Sequence, residues 1–530
     1  MFNYSKFLIL TVLTFCSTSF AGSQNPEDQD PEAYCINNAK RLLLENDQTV
    51  NNGITFNNCL KASGGNNPLV WFFTGYMKLR GIGASPDYEE GIGFITKAAE
   101  GGLSIAQKEL SDYYLTGNGI NKKIDVAMAA KWLKILANGS HPQLKDEAAF
   151  KLCALNLYGT GIPVNYDEAF FWCRKSGLDN HNTDGLTNLA YMYINGFGTD
   201  KNIPIAIDYY KTAANKGSTS AQISLGRAYS TGKDLDLNYE EAFYWMSKAA
   251  EKQNPLAIYY LAQMYEYGNG VEKDPAKAFE LYSKSAELGD NLAQYTLGRW
   301  YQFSAEPNPD MAAKWYHKSA KQNNTNAMIA IAEMYREQNS KEMILWFNRA
   351  AEAGNLQGNR QLLQIYLNGT KETSAKPDLA FEQAKILEKA GDPEGIYWLS
   401  YLYLYGIGTS KDPAKAEEIL QPLIAEGDPL AKKGLAQIKK EKNDLNGAIS
   451  ELQDAAELGC LYNSCTDLAQ IYSKQNNWSE TFFWLLAGDR LENSLSEKNI
   501  KLMKHAENNI ASEKQHEIKE KLEKWLEFKQ

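Results

Sequence analysis

The sequence predicts an all-α protein, folded as a right-handed α/α superhelical solenoid of about twelve helix-turn-helix repeats. A unit of about 36 residues recurs along the chain, and glycines mark one turn of each copy: Gly81, Gly117, Gly159, Gly196, Gly232 and Gly268. Within each unit, apolar residues recur at the spacing of one helix face. The chain has 530 residues, which is too long for one compact core, whereas a solenoid lengthens by adding repeats.

The chain begins with a targeting pattern. An apolar run follows Lys6, and small residues stand at Ser19 and Ala21. This is the pattern of a signal peptide over residues 1–21, cleaved after Ala21. The run is too short to hold the chain in a bilayer, and residues 22–31 are polar, so we expect a disordered leader there. We therefore expect an exported protein, periplasmic or secreted, without a transmembrane anchor.

The clearest repeat shows how each unit is expected to fold. Ala257, Leu261 and Tyr265 lie on one face of its first helix. Gly268 ends that helix, because glycine adopts the positive φ of a helix C-terminus without strain. Asp274 then begins the second helix as its N-cap, and a proline follows in the first helical position.

The repeat pattern divides the rest of the chain into segments. We expect, in order, an N-terminal capping helix pair at 32–66, regular repeats at 67–302, degenerate repeats at 303–392, C-terminal repeats at 393–496 and a C-terminal capping helix at 497–530. The degenerate stretch loses its glycine turns, and this loss fits either a hinge or merely shortened repeats. The tail is rich in Lys and Glu, with Leu522, Trp525 and Phe528 on one side, so we expect it to cover the last apolar face.

Cysteine usage agrees with export. Of seven cysteines, Cys16 leaves with the signal peptide, and the even number that remains favours disulfides in an exported chain. The repeat register places the two cysteines of each nearby pair on neighbouring helices or around one turn. The candidate disulfides are Cys35–Cys59, Cys153–Cys173 and Cys460–Cys465. The alternative interpretation is that these are buried free thiols.

Composition and motifs argue against nucleic-acid binding and catalysis. The formal net charge is −10, and no basic stripe exists to neutralise phosphates. The five histidines are scattered, without partners at metal-ligand spacing. The Gly-x-Gly turns lack the strand and the Lys-Ser/Thr pair of a phosphate loop. We therefore expect no enzyme, metal or cofactor. The alternative, an enzyme site built across repeats, would require perturbed carboxylates in one pocket.

The recurring pattern A-x-x-x-L-G/A-x-x-Y-x-x-G-x-G-V, followed by D-x-x-K-A-x-x-W/Y-x-x-x-A-A-x-x-G, resembles the Sel1-like repeat, a relative of the tetratricopeptide repeat. The resemblance covers residues 67–496. It implies an α/α superhelix that serves as an adaptor or scaffold for protein–protein interactions. The resemblance also implies a bacterial setting in the envelope or at a host surface, since exported members act there, and some members carry disulfides within repeats.

A partner is expected on the concave face, which the first helix of each repeat lines. The positions two and six residues after the motif alanine are free to vary, and aromatic and arginine side chains are typical of interface hot spots. The candidate ridge comprises Tyr191, Arg227, Tyr259, Gln263, Tyr295, Arg299, Tyr397, Trp398, Tyr401 and Tyr405. The last four form its densest cluster. The alternative is that these rings pack against the neighbouring repeat.

These observations predict an exported, non-enzymatic repeat scaffold that binds protein partners in an envelope complex or at a host surface. The alternative function is a glycan- or cell-wall-binding module, because Tyr and Trp rings in a groove stack on sugars as readily as on peptides.

Overall fold

The computed structural model describes residues 30–43, 45, 47–117, 124–457, 463–492 and 495–527. The predicted signal peptide and almost all of the predicted leader lie outside these residues. Within the described residues, the regular structure consists of twenty-eight α-helices and one π-helical turn, without strands. The chain divides into two compact units, Met1–Ser285 and Ala286–Gln530. This architecture confirms the predicted α/α solenoid class of helix pairs in tandem.

The helices that begin in the first unit come in pairs, and the odd-numbered helix is the first of each repeat. They are α1 (Pro31–Leu43), α2 (Asn52–Ala62), α3 (Pro68–Arg80), α4 (Tyr88–Glu100), α5 (Ser104–Thr116), α6 (Val126–Ala137), α7 (Pro142–Tyr158), α8 (Tyr166–Arg174), α9 (Thr183–Asn195), α10 (Ile203–Asn215), α11 (Thr219–Thr231), α12 (Tyr239–Glu251), α13 (Pro255–Tyr267) and α14 (Pro275–Glu287). The π-helical turn, Lys175–Asp179, extends α8. Helices α1 and α2 form the N-terminal pair.

The second unit continues the same alternation. Its helices are α15 (Asn291–Phe303), α16 (Pro309–Ala320), α17 (Thr325–Met334), α18 (Ser340–Glu352), α19 (Leu356–Asn368), α20 (Pro377–Lys389), α21 (Pro393–Tyr405), α22 (Pro413–Glu426), α23 (Pro429–Glu441), α24 (Leu445–Ala456), α25 (Ser464–Lys474), α26 (Trp478–Glu492), α27 (Glu497–Asn508) and α28 (Ser512–Glu527). Helix pairs thus persist through the stretch that lost its glycine turns. No helix in the described ranges is long and apolar enough to cross a bilayer.

The helix boundaries follow from capping residues. Helix α13 begins where the Asn254 side chain accepts a hydrogen bond from Ala257 N at 3.0 Å, and it ends at Gly268 with φ of 79°. The Asp274 side chain then accepts from Lys277 N at 2.9 Å at the start of α14. Each such cap satisfies backbone groups that the helix itself leaves unpaired.

The second glycine of the Gly-x-Gly turn joins successive repeats. Gly270 has φ of 71°, and a Cβ built on it would overlap Tyr239 O, at the start of the second helix of the preceding repeat. The same close approach recurs at Gly198 against Tyr166 O and at Gly408 against the carbonyl that begins α20. This glycine is therefore required by contact between repeats, in addition to the geometry of its own turn.

Buried glutamines add a second link between repeats. Gln107 Nε2 donates to Ala99 O at 3.1 Å, and Gln222 Nε2 donates to Ala214 O at 3.0 Å. In both cases the first helix of one repeat bonds the C-terminal turn of the helix before it. Each bond contributes about 1 kcal/mol.

Two of the predicted disulfides are confirmed. Cys35–Cys59 links α1 to α2, and Cys153–Cys173 links α7 to α8. They close loops with sequence separations of 24 and 20 residues, and loops of this length correspond to about 3 kcal/mol of stabilisation each. Cys465 is buried and disulfide-bonded, whereas Cys460, its expected partner, lies outside the described residues.

The tail differs from the prediction of one capping helix, because it forms two, α27 and α28. The helix breaks where side-chain amides bond the carbonyls that a continuing helix would use: Asn509 Nδ2 donates to His505 O at 2.8 Å, and Gln515 Nε2 donates to Glu507 O at 2.9 Å. Trp525 packs on Trp484 at 5.8 Å between ring centroids. The tail thus covers apolar side chains of α26, and Phe528 lies outside the described residues.

Candidate protein-interaction face

The candidate site is one face of the first helices. Residues two, six and ten positions after the motif alanine follow one another at intervals of four, and this spacing places them along one side of a helix. In α13 they are Tyr259, Gln263 and Tyr267. We call these positions, in all repeats, the first-helix face.

In the first unit this face is only partly available. Tyr191 is 39% exposed, and the Arg227 guanidinium lies 5.9 Å above the Tyr260 ring, a cation–π arrangement. Tyr259 is half-buried, 5.7 Å from the Tyr282 ring, and its hydroxyl accepts from Gln263 Nε2 at 3.0 Å. Tyr191 and Arg227 therefore remain exposed, whereas Tyr259 and Gln263 serve mainly the packing of their own repeat.

Position ten, which only Tyr405 represents in the predicted ridge, carries the most exposed rings. Tyr158 is 57% exposed, Tyr267 63% and Phe303, in the second unit, 71%. The Tyr158 hydroxyl donates to Asn188 Oδ1 at 3.1 Å, and burial together with the neighbouring Tyr191 raises the Tyr158 pKa. The sequence signal for these exposed rings is an aromatic residue immediately before the turn glycine, as in Tyr267-Gly268.

The second unit separates its aromatic residues into two groups. On α15, Tyr295 is half-buried against the Tyr316 ring at 5.8 Å, and Arg299 is exposed. The corresponding positions of α17 and α19 carry no aromatic side chain. A pocket of about 300 Å³ lies there instead, and the residues that line it include Arg336, Gln364 and Lys371.

The prediction that Tyr397 presents its ring to a partner is wrong, because the side chain is only 6% exposed. Its hydroxyl accepts from Gln437 Nε2 at 3.0 Å, and Lys433 Nζ lies 5.9 Å from its ring centroid. Both residues belong to α23, the first helix of the next repeat. Tyr397 therefore packs against the next repeat, as the alternative interpretation predicts.

The other three residues of the dense cluster remain at the surface. Trp398, Tyr401 and Tyr405 are half-buried. The ring centroids of Trp398 and Tyr401 are 5.4 Å apart, and those of Tyr401 and Tyr405 are 4.6 Å apart. Burial, Glu441 and Tyr401 raise the pKa of Tyr405 to about 12, so its hydroxyl is a neutral donor at physiological pH. These contacts hold three rings in a fixed arrangement that still faces solvent.

A group of charged residues on α5 and α7 is the nearest approach to the enzyme alternative. Burial raises the pKa of Glu109. Burial opposes ionisation of Asp112 too, but Lys151 and Lys108 outweigh it and lower the Asp112 pKa. The two lysines bond Asp112 at 2.8 and 2.7 Å, so the charges compensate one another as an ion-pair network. Among the described residues, no group of three His, Cys, Asp or Glu could hold a metal ion.

This network predicts acid sensitivity in the first unit. Because the folded pKa of Asp112 lies below 3.8, its contribution to stability is complete above that value and is lost as pH falls through the folded pKa. Asp112→Asn is expected to lower the thermal midpoint near neutral pH by an amount equivalent to about 1 kcal/mol. The difference from wild type should stay constant down to about pH 5 and narrow as pH falls further, through the folded pKa of Asp112, measured by circular dichroism. A difference that stays constant throughout would contradict this assignment, and Asp310→Asn serves as the exposed control.

The repeats match those of a known protein family. A model of the Sel1 repeat matches nine segments, which together make up more than half of the chain: 72–103, 104–141, 146–181, 183–218, 219–254, 255–290, 291–324, 327–355 and 393–428. The chain belongs to the Sel1 repeat family. Sel1 repeat proteins generally mediate protein–protein interactions. The helix pairs α19–α20 and α23–α26 of this Sel1 repeat protein lie outside the matched segments, although they keep the same helical alternation.

The chain is also similar to several solved structures. This Sel1 repeat protein is 23% identical to a protective antigen with an SLR fold from uropathogenic Escherichia coli, with a TM-score of 0.49, covering 89% of this chain and 94% of that one. It is 24% identical to a Sel1 repeat protein from Oxalobacter formigenes, with a TM-score of 0.47 and coverage of 67% and 98%. An immunity protein from Pseudomonas aeruginosa is 21% identical, with a TM-score of 0.32 and coverage of 40% and 83%.

Proposed function

We propose that this chain is an exported, non-enzymatic scaffold that binds a protein partner, in an envelope complex or at a host surface, through Trp398, Tyr401 and Tyr405. The observation that carries the proposal is the half-buried, mutually packed arrangement of these rings on α21. Large aromatic side chains held in place lose little conformational entropy when they bind, which is why they dominate interface hot spots.

The position of the cluster supports a protein partner. Tyr401 and Tyr405 lie on the first-helix face of a Sel1 repeat, and Trp398 packs beside Tyr401. Lys411 and Glu441, which pair at 3.7 Å, offer opposite charges at the edge of the cluster. Aromatic residues bordered by polar groups match the anatomy of protein interfaces, in which an apolar centre is surrounded by a polar rim.

Disulfide bonds support export. Cys35–Cys59 and Cys153–Cys173 each join the two helices of one pair, and such bonds persist in oxidising compartments. The charge network around Asp112 supports the non-enzymatic part of the proposal, because its carboxylate is already paired with two lysines.

The test is a pull-down from an envelope extract with tagged chain 22–530 and its Tyr401→Ala/Tyr405→Ala variant, read by mass spectrometry. We expect one dominant protein with wild type and its loss in the variant, since each hot-spot truncation costs about 2 kcal/mol or more. The matched control is Phe171→Ala/Tyr244→Ala, which removes two exposed rings from the second helices α8 and α12.

Two outcomes would contradict the proposal. If the Tyr401→Ala/Tyr405→Ala variant retains the partner, the surface is elsewhere. In the second outcome, the variant loses the partner while its thermal midpoint falls by several degrees and that of the control does not. In that case the rings stabilise the fold rather than the interface. Retention of wild type by peptidoglycan, without any captured protein, would indicate the glycan-binding alternative.

A further inference from the structure

A pocket of about 640 Å³ lies in the second unit, between the C-terminal ends of the second helices α16 and α18. The helix between them, α17, contributes the buried Met328 to its lining. Pockets of roughly 300 to 1,000 Å³ are typical of small-molecule sites. This pocket shares no residue with the aromatic cluster on α21, so it is a second candidate site with a different chemistry.

Trp346, which lines the pocket, is unusually accessible for its position in the repeat. It lies seven residues after the N-cap of its second helix. The tryptophans at the same position of four other second helices are at most 7% exposed: Trp132, Trp172, Trp245 and Trp315. Trp346 is only half-buried. Helix α17 beside it has ten residues, whereas α13 has thirteen, so the pocket falls in one of the repeats that lost the glycine turn.

Two cations line the pocket without an acidic partner. The Arg349 guanidinium lies 4.4 Å from the centroid of the Trp346 ring, a cation–π arrangement. Arg349 and Lys321 are both exposed, and neither pairs with a carboxylate within the described ranges of the chain. A guanidinium that is already restricted by a ring loses less conformational entropy when it binds an anion. The pocket therefore offers a positioned anion-binding group next to an apolar surface.

The electrostatic effect of both cations reaches His317. The ring centroids of His317 and Trp346 are 5.2 Å apart. Burial, Lys321 and Arg349 lower the pKa of His317, whereas Glu342 raises it. An anion that neutralises the two cations should therefore raise the pKa of this histidine.

The charge of the pocket matches a monoanion. Its charged lining residues are Lys321, Arg349 and Glu352, and two positive charges with one negative charge give a net charge of +1. A phosphate group carries about −1.5 to −2 charges near neutral pH, whereas a carboxylate carries about −1. A carboxylate also fits the planar donor fork of a guanidinium. The charge and the donors thus favour a carboxylate over a phosphate.

We propose that this pocket binds a small organic acid, in which a carboxylate is attached to an apolar body. Arg349 and Lys321 donate to the carboxylate, while the apolar body packs on Met328 and the accessible part of Trp346. The charged groups supply orientation and specificity, and the apolar lining supplies most of the buried contact area.

The test titrates phenylacetate into chain 22–530 that carries isotope-labelled histidine, followed by NMR. We expect saturation to raise the pKa of His317, whose signal is the one absent from His317→Gln. Lys321→Gln/Arg349→Gln should weaken binding by about tenfold, because it removes both charge-assisted hydrogen bonds. Thermal midpoints establish that this variant folds.

The matched control is Lys314→Gln/Lys341→Gln. It removes two exposed lysines nearer the N-terminal ends of the same two helices, α16 and α18, so the change in net charge is identical. We expect this variant to bind phenylacetate within about twofold of wild type. An equal loss in the control would reveal unspecific attraction between charges and overturn the proposal.

Three further ligands test the two halves of the proposed ligand. Phenylacetamide keeps the ring without the charge, acetate keeps the charge without the ring, and we expect each to bind at least about fivefold more weakly than phenylacetate. Equal binding of either would overturn the proposal, as would inorganic phosphate that binds more tightly than phenylacetate. It would also fail if phenylacetate leaves the titration of His317 unchanged.

Discussion

Gly270→Ala is expected to destabilise the first unit by about 3 kcal/mol. Two effects add. The left-handed conformation of this residue, with φ of 71°, disfavours any side chain by about 1 to 2 kcal/mol. The added methyl group would also overlap Tyr239 O, and because a backbone carbonyl in a helix cannot rotate away, the two repeats must separate locally. Hydrogen exchange should show weaker protection of the backbone amides in α12 and α13.

Gly391→Ala separates these two effects. Gly391 has the same φ of 71°, but no atom lies within 4 Å of the position its Cβ would take. We therefore expect a loss of about 1 kcal/mol, from conformation alone. If both variants lose the same stability in urea titrations, the contact between Gly270 and the preceding repeat contributes nothing, and the account of the second turn glycine is incorrect.

Tyr397→Ala is expected to lower stability by about 3 to 4 kcal/mol, because it opens a cavity between α21 and α23. The ring is buried and its hydroxyl accepts from Gln437, so truncation removes both packing and a hydrogen bond. Differential scanning calorimetry should show the loss as a lower midpoint for the transition of the second unit. If Tyr397→Ala instead binds less partner at an unchanged thermal midpoint, Tyr397 belongs to the interface.

Tyr397→Phe provides the conservative comparison. It retains the ring and removes only the hydroxyl that accepts from Gln437 Nε2, so we expect a loss of about 1 kcal/mol. Tyr401→Ala, on the same helix and half-buried, should cost less than Tyr397→Ala. The opposite order would mean that Tyr401 packs between repeats.

Periodicity within one repeat was sufficient to predict the helices and turns. The caps Asn254, Gly268 and Asp274 act within a few residues of themselves, so a local pattern specifies them. The repeat register was also sufficient for the Cys153–Cys173 bond, because both helices belong to one unit. These features depend on contacts that every copy of the repeat makes in the same way.

The solvent exposure of side chains at the candidate site depends instead on the neighbouring repeat. Tyr397 and Tyr401 share one face of α21, but Gln437 and Lys433 of α23 cover only the first of them. The residues at these two positions vary from repeat to repeat, so no average pattern predicts what they cover. The exposed rings at position ten, such as Tyr267, were missed for the related reason that they lie outside the packed face of the repeat.

The contact of Gly270 with Tyr239 gives the array a direction. These Gly-x-Gly turns rest on a helix that precedes them in the chain, as the pairs Gly198 with Tyr166 and Gly408 with Pro377 show again. During synthesis or translocation from the N-terminus, each new hairpin therefore emerges beside a surface that is already folded. Loss of the last repeats leaves these contacts intact in the remainder, whereas loss of the first repeats deprives the next turn of its support.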